Sequence, residues 1–106
     1  MAGFHSEETD HLFRALLSLR TEEECCAFFE DICTIRELRE MSQRLEVARQ
    51  LRARRLYSEI AAATGASTAT ISRVNRCLSY GAGGYTLALQ RLEEAEKAAD
   101  ADKEEK

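Results

Sequence analysis

No proline interrupts the 106-residue chain, tryptophan is absent, and glycine occurs only five times. Without these breakers, long helices are the expected structure. Long apolar runs are missing too. No stretch approaches the roughly 20 residues that a membrane span requires, so no membrane partner is expected. The first residues, MAGFHSEETD, have neither a basic start nor an apolar stretch. A secretory signal is therefore not expected, and the expected location is cytoplasmic. Cysteines at metal or redox spacing are lacking. Cys25, Cys26, Cys33 and Cys77 form no C-x-x-C and no zinc-type set with histidine. They are expected as reduced, small buried hydrophobes, with a thiol switch as the alternative. His5 and His11 sit close to the start of the chain, and no metal or cofactor is expected. There is no histidine beside a plausible nucleophile and no phosphate-binding loop after a strand, so the chain does not read as an enzyme.

Hydrophobic residues make up 44% and charged residues 32% of the chain, which describes one globular domain rather than a disordered segment. The net charge of −4 hides an uneven distribution. Residues 1–31 carry net −6, residues 32–76 net +5, and residues 93–106 net −4. Every basic residue in the central block is an arginine. Such asymmetry says more about partners than the total does.

Periodicity points to an all-α chain of about six helices. Residues 10–20 place Leu12, Leu16 and Leu19 at helical spacing, with Asp10 or Thr9 as candidate cap. Thr21 and Glu24 form the pattern of a capping box, as do Thr34 and Glu37. The third helix is long, with Leu38, Met41, Leu45, Ala48 and Leu51 as one apolar stripe and Val47 flanking it. A short helix over 56–65 ends in glycine, another spans 68–78, and the last begins near Tyr85. Tyr80-Gly81-Ala82-Gly83-Gly84-Tyr85 reads as the loop between the final two. Residues 1–95 are expected to form the domain. Residues 96–106, with no apolar side chain larger than alanine, are expected as a frayed or disordered acidic tail.

The motif that carries function is Ile60-Ala61-x-x-x-Gly65-Ala66-Ser67-x-x-Thr70-Ile71-Ser72-Arg73-Val74, a helix-turn-helix pattern at about 57–78. Ala61 is small where two helices approach. Gly65 supplies the left-handed conformation that ends the first helix. Ser67 caps the second helix. Ile60, Ile71 and Val74 lock the pair together. Thr68, Ala69, Thr70, Ser72, Arg73 and Arg76 form the face expected to meet DNA bases in the groove. Arg49, Arg52, Arg54 and Arg55, with Ser67, are candidate phosphate contacts. Between residues 41 and 76 the only acids are Glu46 and Glu59, too few to absorb the arginines. An ordinary helical hairpin is the plainer alternative. A helical protein-interaction adaptor, using the acidic ends of the chain, is the competing function.

Met41–Ala48, Gly65–Leu78 and Tyr80–Tyr85 together resemble the tryptophan repressor family, over roughly residues 10–95. The resemblance is to the short repressor-like bacterial proteins of that family. It implies six helices per chain, an intertwined homodimer, and reading heads aimed at successive major grooves about 34 Å apart. In the dimer, Phe13, Phe28, Phe29, Leu38 and Leu45 would gain the cover that one thin chain does not offer. The function implied is a sequence-specific DNA-binding regulator, a repressor, with double-stranded DNA as partner. The family clamps tryptophan between arginines. One corresponds to Arg73; the other falls at Gln43, with Arg44 adjacent. A threonine that opens the family's third helix falls at Cys33, with Thr34 adjacent. The glycine that follows the recognition-helix arginine is Val74 here. Gln43, Arg44, Arg73 and Cys77 therefore outline the place for an unknown small effector, and tryptophan is not the expected one.

Overall fold

The computed structural model describes residues 5–104, in six helices with no strand among them. They are α1 (Glu7–Ser18), α2 (Glu22–Ile32), α3 (Ile35–Arg52), α4 (Tyr57–Thr64), α5 (Thr68–Tyr80) and α6 (Gly84–Glu104). The chain separates into two compact units, up to Arg39 and from Glu40 onward. None of the described residues belongs to a helix long and apolar enough to cross a membrane.

The first unit is organised by its caps. Ser6, not Thr9 or Asp10, caps α1. Its hydroxyl accepts from the Thr9 amide at 3.1 Å, and Thr9 returns the bond to the Ser6 amide at 2.8 Å. The helix thus begins at Glu7, ahead of both expected caps, with Glu7, Glu8 and Asp10 favourably placed in its first turn. At α2 the Thr21 hydroxyl accepts from Glu24, whose carboxylate reaches one residue further back, to the Arg20 amide at 2.7 Å. At α3 the reciprocal box is complete: Thr34 N–H to Glu37 at 2.8 Å and Glu37 N–H to Thr34 at 3.1 Å. Hydrogen bonds from the Thr34 backbone amide, and then from its hydroxyl, hold the Glu37 carboxyl below its usual pKa. His5 pairs with Asp10 at 3.1 Å.

No side chain of α1 or α2 is buried. Phe28 and Phe29 meet edge to face at 5.8 Å, but Phe13 is 42%, Ile32 52%, Ile35 69% and Leu17 85% exposed. The four cysteines are free, and none is buried: Cys26 and Cys77 are exposed, Cys25 and Cys33 half-buried. The expectation of buried thiols is therefore corrected. Three of them lie in the unit whose helices bury nothing, and Cys77 lies on the solvent side of α5.

The second unit has a true core of Val47, Ala48, Ile60, Ala66, Ile71, Val74 and Leu89, flanked by Leu51, Ala61, Leu78 and Tyr85. On α3 the buried residues are Val47 and Ala48, while Leu45 is 39% exposed. The single expected stripe is two stripes. At about 100° per residue, Leu45 and Val47 stand on nearly opposite faces. Leu38, Met41 and Leu45 share one face, and Val47 and Leu51 share the other.

The span expected as a tail, from residue 96, is helical as far as it is described. α6 stays helical to Glu104, although every side chain from Gln90 to Lys103 is exposed. Ala95, Ala98, Ala99 and Ala101 have the best helix propensity, and Glu93 precedes Lys97 at the favourable four-residue spacing. Residues 1–4 of the expected domain and 105–106 of the expected tail lie outside the described residues.

Candidate nucleic-acid interface

Two helices and the turn between them build the site. α4 opens at Leu56, whose amide donates to Glu59 at 2.9 Å. It closes at Gly65, which has φ 76°, a conformation that a side chain would strain. The Thr64 hydroxyl donates to the Ile60 carbonyl at 2.7 Å and accepts from the Ala66 amide at 3.1 Å, so it stiffens the turn. Ser67 then caps α5, accepting from the Thr70 amide at 3.1 Å. Ala66, Ile71 and Val74 face the core and fix the rotation of α5.

That rotation leaves one face open. Thr68, Ala69, Ser72, Arg73 and Arg76 are exposed. At about 100° per residue they span roughly 140° of the helix, opposite Ile71 and Val74. Thr70 departs from the expected set. It is half-buried, and its hydroxyl lies 3.1 Å from that of Ser67. The Ser67 oxygen is likewise engaged in the cap. Asn75, which sequence reasoning passed over, is also exposed. It lies next to Thr68 in angle, so a helical projection of α5 would have found it.

The arginine block divides in two. Arg49 is held by Glu46 through paired bonds of 3.0 and 2.9 Å, which lower the Glu46 pKa and raise that of Arg49. Arg52 lies 3.6 Å from Glu93 on α6. The few acids near the block thus absorb more than expected, one from within α3 and one from a distant helix. Arg54 and Arg55 have no carboxylate partner among the described residues, and neither do Arg73 and Arg76. Arg54 ends α3 in an unusual way. Its φ is 62°, the only positive value at a non-glycine among the described residues. Its amide donates to Leu51 and that of Arg55 to Gln50, the two bonds of a Schellman turn. Arg54 and Asn75 line one polar cleft of about 490 Å³ with Ser79 and Thr86. A cation from the end of α3 therefore stands beside the open face of α5.

The four candidate effector residues are differently placed. Gln43 is half-buried, and its amide nitrogen donates to the Thr64 carbonyl at 3.1 Å, which ties α3 to the end of α4. Arg44 is half-buried, with no carboxylate partner among the described residues. Arg73 is exposed, and Cys77 lines an apolar groove of about 360 Å³ with Gly81–Tyr85 and Ala88. Thr34, rather than Cys33, opens α3. The one-residue shift that moves Cys33 to Thr34 also moves Gln43 to Arg44. Val74 is 1% exposed, so its side chain occupies the core.

The Trp repressor protein family matches residues 7–93 of the chain. The uncharacterized protein YerC of Bacillus subtilis is 56% identical over 90 residues, spanning 85% of this chain and 86% of that protein. A solved TrpR-like protein from Eubacterium eligens is 53% identical, with TM-score 0.80, covering 83% of this chain and 91% of its own. A structure from Staphylococcus aureus, named as a candidate Trp repressor, is 45% identical with TM-score 0.81, covering 84% and 89%. With the matched span enclosing α4, α5 and the arginines of α3, the chain belongs to the Trp repressor protein family, a family of DNA-binding regulators.

Proposed function

We propose that this chain is a sequence-specific transcriptional repressor that binds double-stranded DNA as a homodimer in the cytoplasm, with no catalytic activity. The observation that carries the reading is the open face of α5, where Thr68, Ala69, Ser72, Arg73 and Arg76 point outward from a helix locked by Ile71 and Val74. Small polar and arginine side chains on such a face suit the edges of bases in the major groove. Thr70 and Ser67 serve it by capping the helix, and their hydroxyls reach a phosphate only at its edge. Arg54 and Arg55 bind the backbone beside the groove, with Arg49 and Arg52 behind them.

The dimer is supported by the first unit, whose helices α1 and α2 bury no side chain of their own. Apolar faces left open over two helices call for a covering surface, and a two-fold related copy supplies it without a second gene product. Independence from tryptophan rests on Val74, which puts a side chain where the family has glycine. Arg44 and Arg73 remain for a different, anionic effector, and neither Gln43 nor Cys77 takes part in its binding.

The test is selection of purified protein on random duplexes with and without tryptophan. Enrichment of a palindrome with half-sites one helical turn apart, equal in both conditions, is the expected result. Absence of any enriched sequence would replace this reading with that of a helical adaptor.

A further inference from the structure

We propose that the acidic end of α6 is a built-in competitor of DNA, whose carboxylates occupy α3 arginines that the phosphate backbone would otherwise take. The proposal rests on the DNA-binding reading above. Its geometry is local to the second unit. Glu93 lies 3.6 Å from Arg52, and Arg49, Gln50, Arg52, Arg55 and Glu93 line one cleft of about 470 Å³. Glu96, one turn further along α6, adds to the stabilisation of the Arg49 cation. Packing gives no reason for this helix to continue. Every side chain from Gln90 to Lys103 is exposed, and residues 93–106 carry net −4.

The contact is loose enough to be displaced. One Arg52 nitrogen, Nη1, is buried without a hydrogen bond, because 3.6 Å to Glu93 is too long for one. A phosphate oxygen at the usual 2.7–2.9 Å of a charge-assisted bond is the better acceptor. Displacement costs the same on every sequence. On bulk DNA, where phosphate contacts supply nearly all the binding, that cost removes much of the affinity. A cognate site loses the same factor, but the base contacts of α5 leave enough affinity there to keep it occupied. The acidic helix therefore lowers occupancy of bulk DNA without altering which sequence is read.

The experiment uses the full chain and a duplex of random sequence, with affinity measured by fluorescence anisotropy at low and moderate salt. Glu93→Gln/Glu96→Gln is compared with Glu94→Gln/Asp102→Asn, which changes net charge equally. The control positions lie at least about 100° round α6 from Glu93 and Glu96. Circular dichroism verifies that helix content is kept. The first variant is expected to bind about three- to tenfold tighter than the unaltered protein, an advantage that shrinks as salt rises. The control is expected to shift affinity less than about twofold. Equal gains in both variants would reduce the effect to net charge and overturn the proposal, as would no gain in either. If the unaltered protein binds duplex and the first variant matches it, only the competitor is refuted. If none of the three proteins binds duplex at low salt, the DNA-binding reading falls and the competitor falls with it.

Discussion

Replacing Arg54 by glycine should make the protein more stable and a poorer DNA binder at once. Arg54 sits at φ 62° in the Schellman turn that ends α3, the position where glycine is the usual residue. Holding an L side chain there costs about 1–2 kcal/mol against a right-handed conformation. Glycine removes that cost but loses more entropy on folding, about 0.5–1 kcal/mol. The net gain is about 0.5–1 kcal/mol, or a rise in Tm of about 2–6 °C for a chain of this size. The same change deletes one cation beside the recognition face. The slope of log affinity against log salt should then become shallower by about 0.9, the contribution of one neutralised phosphate. Differential scanning fluorimetry at fixed protein concentration reads the first effect, and anisotropy titrations over a salt series read the second. Arg54→Ala separates the two. It keeps the strained backbone and loses the cation, so affinity should drop as in the glycine variant while Tm does not rise. A glycine variant that melts no higher would refute the strain argument. An unchanged salt slope would show that Arg54 does not touch a phosphate, whatever its stability.

Arg73→Ala and Arg76→Ala should each weaken binding to a selected operator by about tenfold or more while leaving Tm within about 1 °C, because both side chains are exposed. Retained affinity in both would remove α5 from the interface. Gln43→Ala frees the Thr64 carbonyl from its 3.1 Å bond and should destabilise the fold by about 1 kcal/mol in urea titration. An unaltered midpoint would mean that water replaces the amide fully. The Glu37 carboxyl titrates below its usual range because Thr34 holds it. Its lowered folded pKa makes the capping box stabilising above the ordinary carboxylate pKa of about 4.3, and that contribution is lost as pH falls through the folded value. Glu37→Gln should therefore flatten the acid limb of a stability–pH curve, and an unaltered limb would exclude the box as its source. The Cys26 thiol is pushed up by the Glu30 carboxylate beside it, 3.6 Å away. Glu30→Gln should speed alkylation of Cys26 near pH 8, followed by mass spectrometry, because more thiolate is then present. An equal rate in both proteins would remove Glu30 as the cause.

The parts of this molecule that the sequence displays are those made within a few residues. Gly65, Ser67 and the Thr34–Glu37 box are each decided by local backbone chemistry, and each is found where its residue type points. The face of α5 is legible for the same reason, since Ile71 and Val74 set its rotation and leave the polar side outward. The misreadings arise where a distant element decides. Leu38, Met41, Leu45, Ala48 and Leu51 look like one stripe in a list of spacings. Only the arrival of Ile60, Ile71 and Leu89 selects Val47 and Ala48 for burial and leaves Leu45 half open. Arg52 looks free in the sequence because its acid, Glu93, lies more than forty residues away. Gln43, set at the effector place by the family resemblance, also ties α3 to α4, because its partner, the Thr64 carbonyl, is a backbone group that no side-chain pattern reveals. The same principle orders the functional argument. In the proposed function, base reading would depend on α5 and its cap, which are local and therefore robust to change elsewhere. Phosphate binding would depend on arginines whose availability is set by carboxylates on other turns and helices. Substitutions far from α5, at Glu46 or Glu93, should therefore tune how tightly this protein holds DNA without changing the sequence it selects.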